Sequence, residues 1–176
     1  MKNLKLLLFA VLCFCSNLSI AQSNKATLYI VRTSGLGAAV NFKYFIGDQF
    51  IGKTNFGKYF KLDLDEGEYL IWAKSENRSF VKANLKAGNT YVLNALPQMG
   101  AFKAGVYLKA INNPTEKELI KIKKYIAKKK LLVYDEKKKM LEQKDYASLI
   151  EKGLKLYNEK VVNSPDLETL NVPIDL

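Results

Sequence analysis

The sequence predicts a mainly β protein: an antiparallel β-sandwich of about 7–8 strands followed by a two-helix, Lys-rich C-terminal extension. Three observations lead there. Runs rich in β-branched and aromatic residues recur at roughly ten-residue spacing between residues 26 and 111, separated by turns carrying Gly and Asn. Several of these runs are apolar on both faces, as strands covered on both sides must be. At Asn113-Pro114 the hydrophobic period changes from that of a strand to that of a helix, and lysines become dense.

Residues 1–21 read as a secretory signal peptide. Lys2 and Lys5 make a basic start, residues 6–15 an apolar stretch too short for a membrane span of about 20 residues, and Ser19-Ile20-Ala21 a small-residue cleavage site. A lipoprotein reading would acylate Cys13 or Cys15, but Leu12 and Phe14 stand where a small residue belongs. The expected divisions after the signal are a β domain over 22–112, a helical extension over 113–163 and a loose or docked tail over 164–176.

Residues 26–32 (ATLYIVR) form the first strand, with Leu28 and Ile30 on one face and Tyr29 and Val31 on the other. Residues 42–46 and 50–54 flank Gly47-Asp48-Gln49, a short hairpin loop. Residues 59–64 alternate Phe60, Leu62 and Leu64 against Tyr59, Lys61 and Asp63. Residues 68–75 carry Trp72, the single Trp, and are apolar on both faces; residues 79–86 have one wet face, Lys82, Asn84 and Lys86. Residues 91–96 are expected to end at Pro97, and residues 105–111 form the last strand. Thr115-Glu116-Lys117-Glu118 is a capping box that starts a helix bearing Leu119, Ile122 and Ile126 on one face. A second helix over 145–161 carries Tyr146, Leu149, Ile150, Leu154 and Tyr157 at helical spacing. Residues 131–134 (LLVY) suit either a short strand or a helix continuation.

The chain has no His, and cleavage after Ala21 removes both cysteines. Thiol nucleophiles, imidazole bases, Ser-His-Asp triads and the usual zinc sites are thereby excluded, and no cofactor or metal is expected. The formal charge of +11 drops to +9 with the loss of Lys2 and Lys5. Export turns this basicity away from nucleic acid and toward anionic lipid, envelope polysaccharide or an acidic protein. Residues 35–40 (GLGAAV) lack the third Gly and the following helix of a dinucleotide loop. The acidic cluster Asp63, Asp65, Glu66 and Glu68 around Gly67 misplaces the Gly of a calcium loop and reads as a solvated turn.

Residues 25–112 resemble the DUF2846 family, exported bacterial domains of unknown function. The resemblance rests on ATLYIVR at 26–32, on FIGDQFIGKTNFGKYFKLDLDEGEYLIWAKSE at 45–76 and on LKAGNTYVLNALPQMGAF at 85–102. Asp65-Glu66 stand where many members have prolines, and the layout is also similar to PEGA-type domains. The resemblance implies a surface-associated β-sandwich and transfers no catalytic residue.

Two surfaces are candidates for contact. Arg32, at a strand end beside the loop carrying Met99, Phe102 and Lys103, suits either a structural role or an anion contact. Residues 117–139 hold ten Lys against three acids, a net of +7, and Lys121, Lys124, Lys128, Lys129 and Lys130 form the candidate anionic-surface patch. The expected function is a non-catalytic interaction module, exported to the periplasm, the envelope or the medium. It would bind an unknown protein or an anionic envelope component, not nucleic acid, and peripheral membrane association is compatible with the lysine run. A carrier for a small apolar ligand or lipid, and a hydrolase using paired carboxylates, are the alternatives. Oligomeric state is left open.

Overall fold

The structure, a computed structural model, describes residues 25–99 and 104–176. The expected signal peptide, with Cys13 and Cys15, lies outside the described residues, as do Phe102 and Lys103. The strands are β1 (Lys25–Val31), β2 (Phe42–Ile46), β3 (Gln49–Thr54), β4 (Lys58–Asp65), β5 (Gly67–Lys74), β6 (Arg78–Leu85), β7 (Thr90–Met99) and β8 (Ala104–Ala110). There follow α1 (Glu116–Lys128), β9 (Lys130–Leu131), α2 (Glu136–Asp145), α3 (Ala147–Leu156) with a π-helical turn at Tyr157–Val161, and β10 (Glu168–Leu170).

The protein is mainly β, built on two five-stranded sheets, β8-β7-β1-β4-β9 and β10-β6-β5-β2-β3. Both are mixed, which corrects the expectation of purely antiparallel pairing. β1 runs parallel to β7, β4 to β9 and β6 to β10. The reason is that the chain changes sheet repeatedly. β4 and β5 follow each other in sequence but pair with different neighbours, β4 with β1 and β5 with β2 and β6. Asp65-Glu66-Gly67 is therefore a corner between sheets. Sequence alternation marks which face a residue occupies and does not name its partner strand.

The sheets share one apolar cluster. Leu28, Ile30, Tyr91, Leu93 and Leu108 from the first sheet meet Phe42, Tyr44, Ile71, Val81 and Leu85 from the second. The outer face of the first sheet, Val31, Val92 and Ile111, lies beneath Ile122 and Tyr125 of α1 and Ile174 of the tail. The outer face of the second, Phe45, Phe50, Trp72 and Phe80, lies beneath Ile150 of α3 and Tyr157. β1, β5 and β7 are thus covered on both sides, as their composition requires. Trp72 is fully buried, stacks on Phe45 with ring centroids 4.0 Å apart, and donates from Nε1 to the Gly47 carbonyl at 2.8 Å. Gly153 makes this possible: a Cβ there would stand 2.6 Å from the Trp72 ring.

Side chains close the sheet edges. The amides of Val106, Leu108 and Ala110, which face away from β7, donate to Asn77 Oδ1 (2.6 Å), Ser79 Oγ (2.9 Å) and Glu168 Oε2 (3.3 Å). Asn77 Nδ2 returns a bond to the Val106 carbonyl at 2.9 Å. An edge that would otherwise template pairing with another chain is satisfied within the molecule. The same geometry explains Pro97, which does not end β7 as expected. Pro97 sits opposite Val106, whose N–H and C=O both turn to Asn77, so this position of the ladder asks no amide of the proline.

The C-terminal region departs furthest from expectation. There are three helices, not two; α2 was not anticipated because its sequence EKKKMLEQKD carries no apolar stripe toward the sheets and buries no residue. Residues 130–131 add a parallel strand to β4, so the LLVY segment is strand-like, and Leu132 and Tyr134 pack inward. Thr115 caps α1, accepting from the Glu118 amide at 3.3 Å, but the Glu118 carboxylate turns to Lys109 at 2.8 Å rather than completing the capping box. The tail is docked: β10 pairs with β6, and the Ile174 amide donates to the Thr90 carbonyl at 2.9 Å.

The Gly153–Trp72 contact gives a direct test. Gly153→Val is expected to overpack this interface and destabilise the protein by about 1–3 kcal/mol. Because Trp72 is the single Trp, its emission should shift to the red as α3 lifts, measured by fluorescence-monitored urea unfolding.

Candidate functional site

Helix α1 is amphipathic. Ile122 and Tyr125 are buried on the first sheet, flanked by half-buried Leu119 and Ile126. Lys117, Lys121, Lys124 and Lys128 follow at i, i+4, i+7 and i+11, which aligns them on the opposite side, and all are exposed. Lys123 and Lys130 are exposed as well. Among the described residues, none of these six lysines has a carboxylate within 4.0 Å. Of the nearby acids, Glu118 turns to Lys109, Asp135 caps α2 and Glu136 pairs with Lys139, while Glu116 stands exposed in the first turn of α1.

The helix is held in register by Tyr125. Its hydroxyl accepts from the Gly57 amide and donates to the Lys58 carbonyl, each at 3.1 Å. Burial pushes this phenol's pKa up, so the donor proton stays in place through the neutral range. Gly57 adopts φ +95°, a conformation open to Gly, and presents the amide that Tyr125 receives. Lys129, one of the five patch lysines, is only half-exposed because its ammonium lies 4.9 Å from the Phe56 ring centroid. Of the candidate patch, Lys121, Lys124, Lys128 and Lys130 are exposed and Lys129 is turned partly away, and Lys117 joins the helical row.

In the second candidate surface, the place of Arg32 is corrected. Arg32 is fully buried at the end of β1 and cannot present a contact. Nη1 donates to the Val40 carbonyl at 2.6 Å, Nη2 to those of Leu36 and Gly37 at 3.1 and 2.7 Å, and the guanidinium carbon lies 4.0 Å from the Phe42 ring centroid. Burial lowers its pKa from the ordinary arginine value. The residue fastens the loop at 33–41 to the sheets, the structural reading of the two that its position allowed. Met99 ends β7 opposite Ala104.

The acidic corner is equally committed. Asp63 accepts from the Thr27 hydroxyl at 3.0 Å, and Glu66 accepts from the Ala87 amide at 3.0 Å and from Lys86 at 3.3 Å. Glu66 therefore ties the β4–β5 corner to the β6–β7 turn. A groove of about 390 Å³ beside it is lined by Glu68, Tyr69, Lys82, Asn84 and Tyr157 among others.

Sequence reasoning missed α2 as an element and what it displays. Its inward contacts are polar. Gln143 accepts from the Phe50 amide at 2.6 Å and donates to the Asp48 carbonyl at 2.8 Å, capping the edge of β3. Glu142 accepts from the Tyr134 hydroxyl at 3.0 Å and pairs with Lys53 at 3.1 Å. Burial disfavours the Lys53 ammonium, but Glu142 and Tyr146 together outweigh it and the pKa rises above the usual lysine value.

No family model matches the chain. It is 27% identical over 100 residues to an uncharacterized protein of Haemophilus influenzae, a match covering 56% of this chain. The chain spans 60% of the length of that relative.

Arg32→Ala would leave three loop carbonyls without donors and a void against Phe42. It is expected to destabilise the fold by roughly 3–5 kcal/mol, read by chemical denaturation, while the folded fraction keeps its retention on an anionic matrix. Loss of that retention at unchanged stability would instead mark Arg32 as a contact residue.

Proposed function

We propose that the protein is an exported, non-catalytic interaction module: a β-sandwich of the DUF2846 kind whose Lys-rich C-terminal region binds an anionic surface of the cell envelope. The observation that supports this most is the exposed row Lys117, Lys121, Lys124 and Lys128 without carboxylate neighbours among the described residues. An isolated surface lysine has little effect, but several held on one rigid helix act on the same anionic plane. The absence of His from the whole chain and the engagement of Asp63, Glu66 and Glu142 in structural bonds favour a binding role over a catalytic one.

Each lysine near an anionic surface contributes about 1 kcal/mol at most, so reversing all four should weaken binding by roughly 10²–10³ at low salt. The measurement is retention on a dextran sulfate column with a salt gradient. The wild type is expected to be retained and released by moderate salt. The Lys117→Glu, Lys121→Glu, Lys124→Glu, Lys128→Glu variant is expected in the flow-through. Equal retention of the two proteins would contradict the proposal.

A further inference from the structure

α2 is turned inside out. An amphipathic helix on a globular protein normally packs its apolar residues inward. Here the inward side chains are Glu142 and Gln143, bonded to Tyr134, Lys53 and the edge of β3. Met140 and Leu141 are 65% and 57% exposed, and no residue of the helix is buried. Lys137, Met140, Leu141 and Lys144 stand at i, i+3, i+4 and i+7, so one outward strip carries two apolar side chains between two exposed lysines. The acids of the element point elsewhere. Glu142 faces inward, Glu136 pairs with Lys139, and Asp135 and Asp145 sit at the two ends.

The segment before α2 continues the pattern. Leu132 and Tyr134 pack on the shared cluster, so the alternation of an extended chain sends Leu131 and Val133 outward. Val133 is 81% exposed and Leu131 39%. Lys128 and Lys130 precede them, both exposed. Apolar residues scattered singly over a surface need no explanation, but four within eleven positions, interleaved with exposed lysines, do.

We propose that Val133, Met140 and Leu141 form a wedge that enters the interfacial region of an anionic lipid leaflet while Lys137 and Lys144 meet its headgroups. This rests on the anionic-surface reading above and names the surface as lipid. Charge complementarity selects the occupant. A neutral apolar partner would leave Lys137 and Lys144 without counter-charge at the rim, whereas a leaflet offers acyl chains beneath a layer of anionic headgroups. Polar docking of the inner face also explains why α2 stays in place with its apolar residues in water: Gln143 and Glu142 hold it through the edge of β3 and Lys53.

The test separates lipid from polyanion. Wild type and the Val133→Ser, Met140→Ser, Leu141→Ser variant are compared in co-sedimentation with vesicles of phosphatidylethanolamine and phosphatidylglycerol and in retention on dextran sulfate, with unchanged Trp72 emission as the check on folding. Loss of three inserted side chains is expected to weaken vesicle binding at least ~10-fold and leave dextran sulfate retention unaltered. Equal vesicle binding by both proteins overturns the wedge. Retention on dextran sulfate without vesicle binding by the wild type overturns the wedge and spares the anionic-surface reading. Binding to neither removes both.

Discussion

Trp72 meets α3 through the one residue in its path that lacks a side chain, and much of the architecture depends on that contact. The second sheet carries Phe45, Phe50, Trp72 and Phe80 on its outer face, a set that water would not tolerate. Losing the burial of an aromatic of this size typically costs about 3–5 kcal/mol, a large share of the stability of a small domain. Gly153 lets the helix approach closely enough to cover the ring, and the Gly47 carbonyl takes its indole N–H. The first sheet poses the same problem and solves it with α1 and Ile174. The C-terminal third is therefore structurally joined to the β region: it roofs both sheets and adds an edge strand to each.

That coverage sets what the surface displays. α1 buries Ile122 and Tyr125 on the sheet, so its lysines face outward, together with Ile120. α2 has no apolar inner side to spend and is held by Gln143 and Glu142, so its apolar residues face outward with Lys137 and Lys144. The two helices are complementary in what they hide. Both sheet edges near them are closed by side-chain bonds, from Asn77, Ser79 and Glu168 on β8 and from Gln143 on β3. Strand addition at β8 and β3 is thereby suppressed.

Much of the β region was legible in the residues because alternation records faces. β1, β5 and β7 read as apolar on both sides and are covered on both sides; Lys82 and Asn84 read as wet and are exposed. What alternation does not record is pairing, so the sheet changes at Asp65-Glu66-Gly67 and the parallel β1–β7 ladder were invisible. Pro97 misled because its tolerance depends on Asn77, twenty residues upstream in sequence but adjacent across the sheets. The lysine row of α1 was legible from spacing. α2 was not, because a helix docked by two polar side chains leaves no inward hydrophobic stripe. Arg32 stood out in the sequence, but its type and place could not tell a surface anion contact from a loop anchor; three carbonyls of the 33–41 loop decide it.

The proposed contact face is the basic segment from α1 through α2, not the loops at the ends of the strands. Hydrogen–deuterium exchange of the whole protein, with and without anionic phospholipid vesicles, tests this most directly. Slowed exchange confined to residues 117–144 is expected, with the α1 and α2 amides protected together and the loop at 33–41 unchanged. Protection centred on that loop, or no protection in residues 117–144 while the protein is bound, would contradict it.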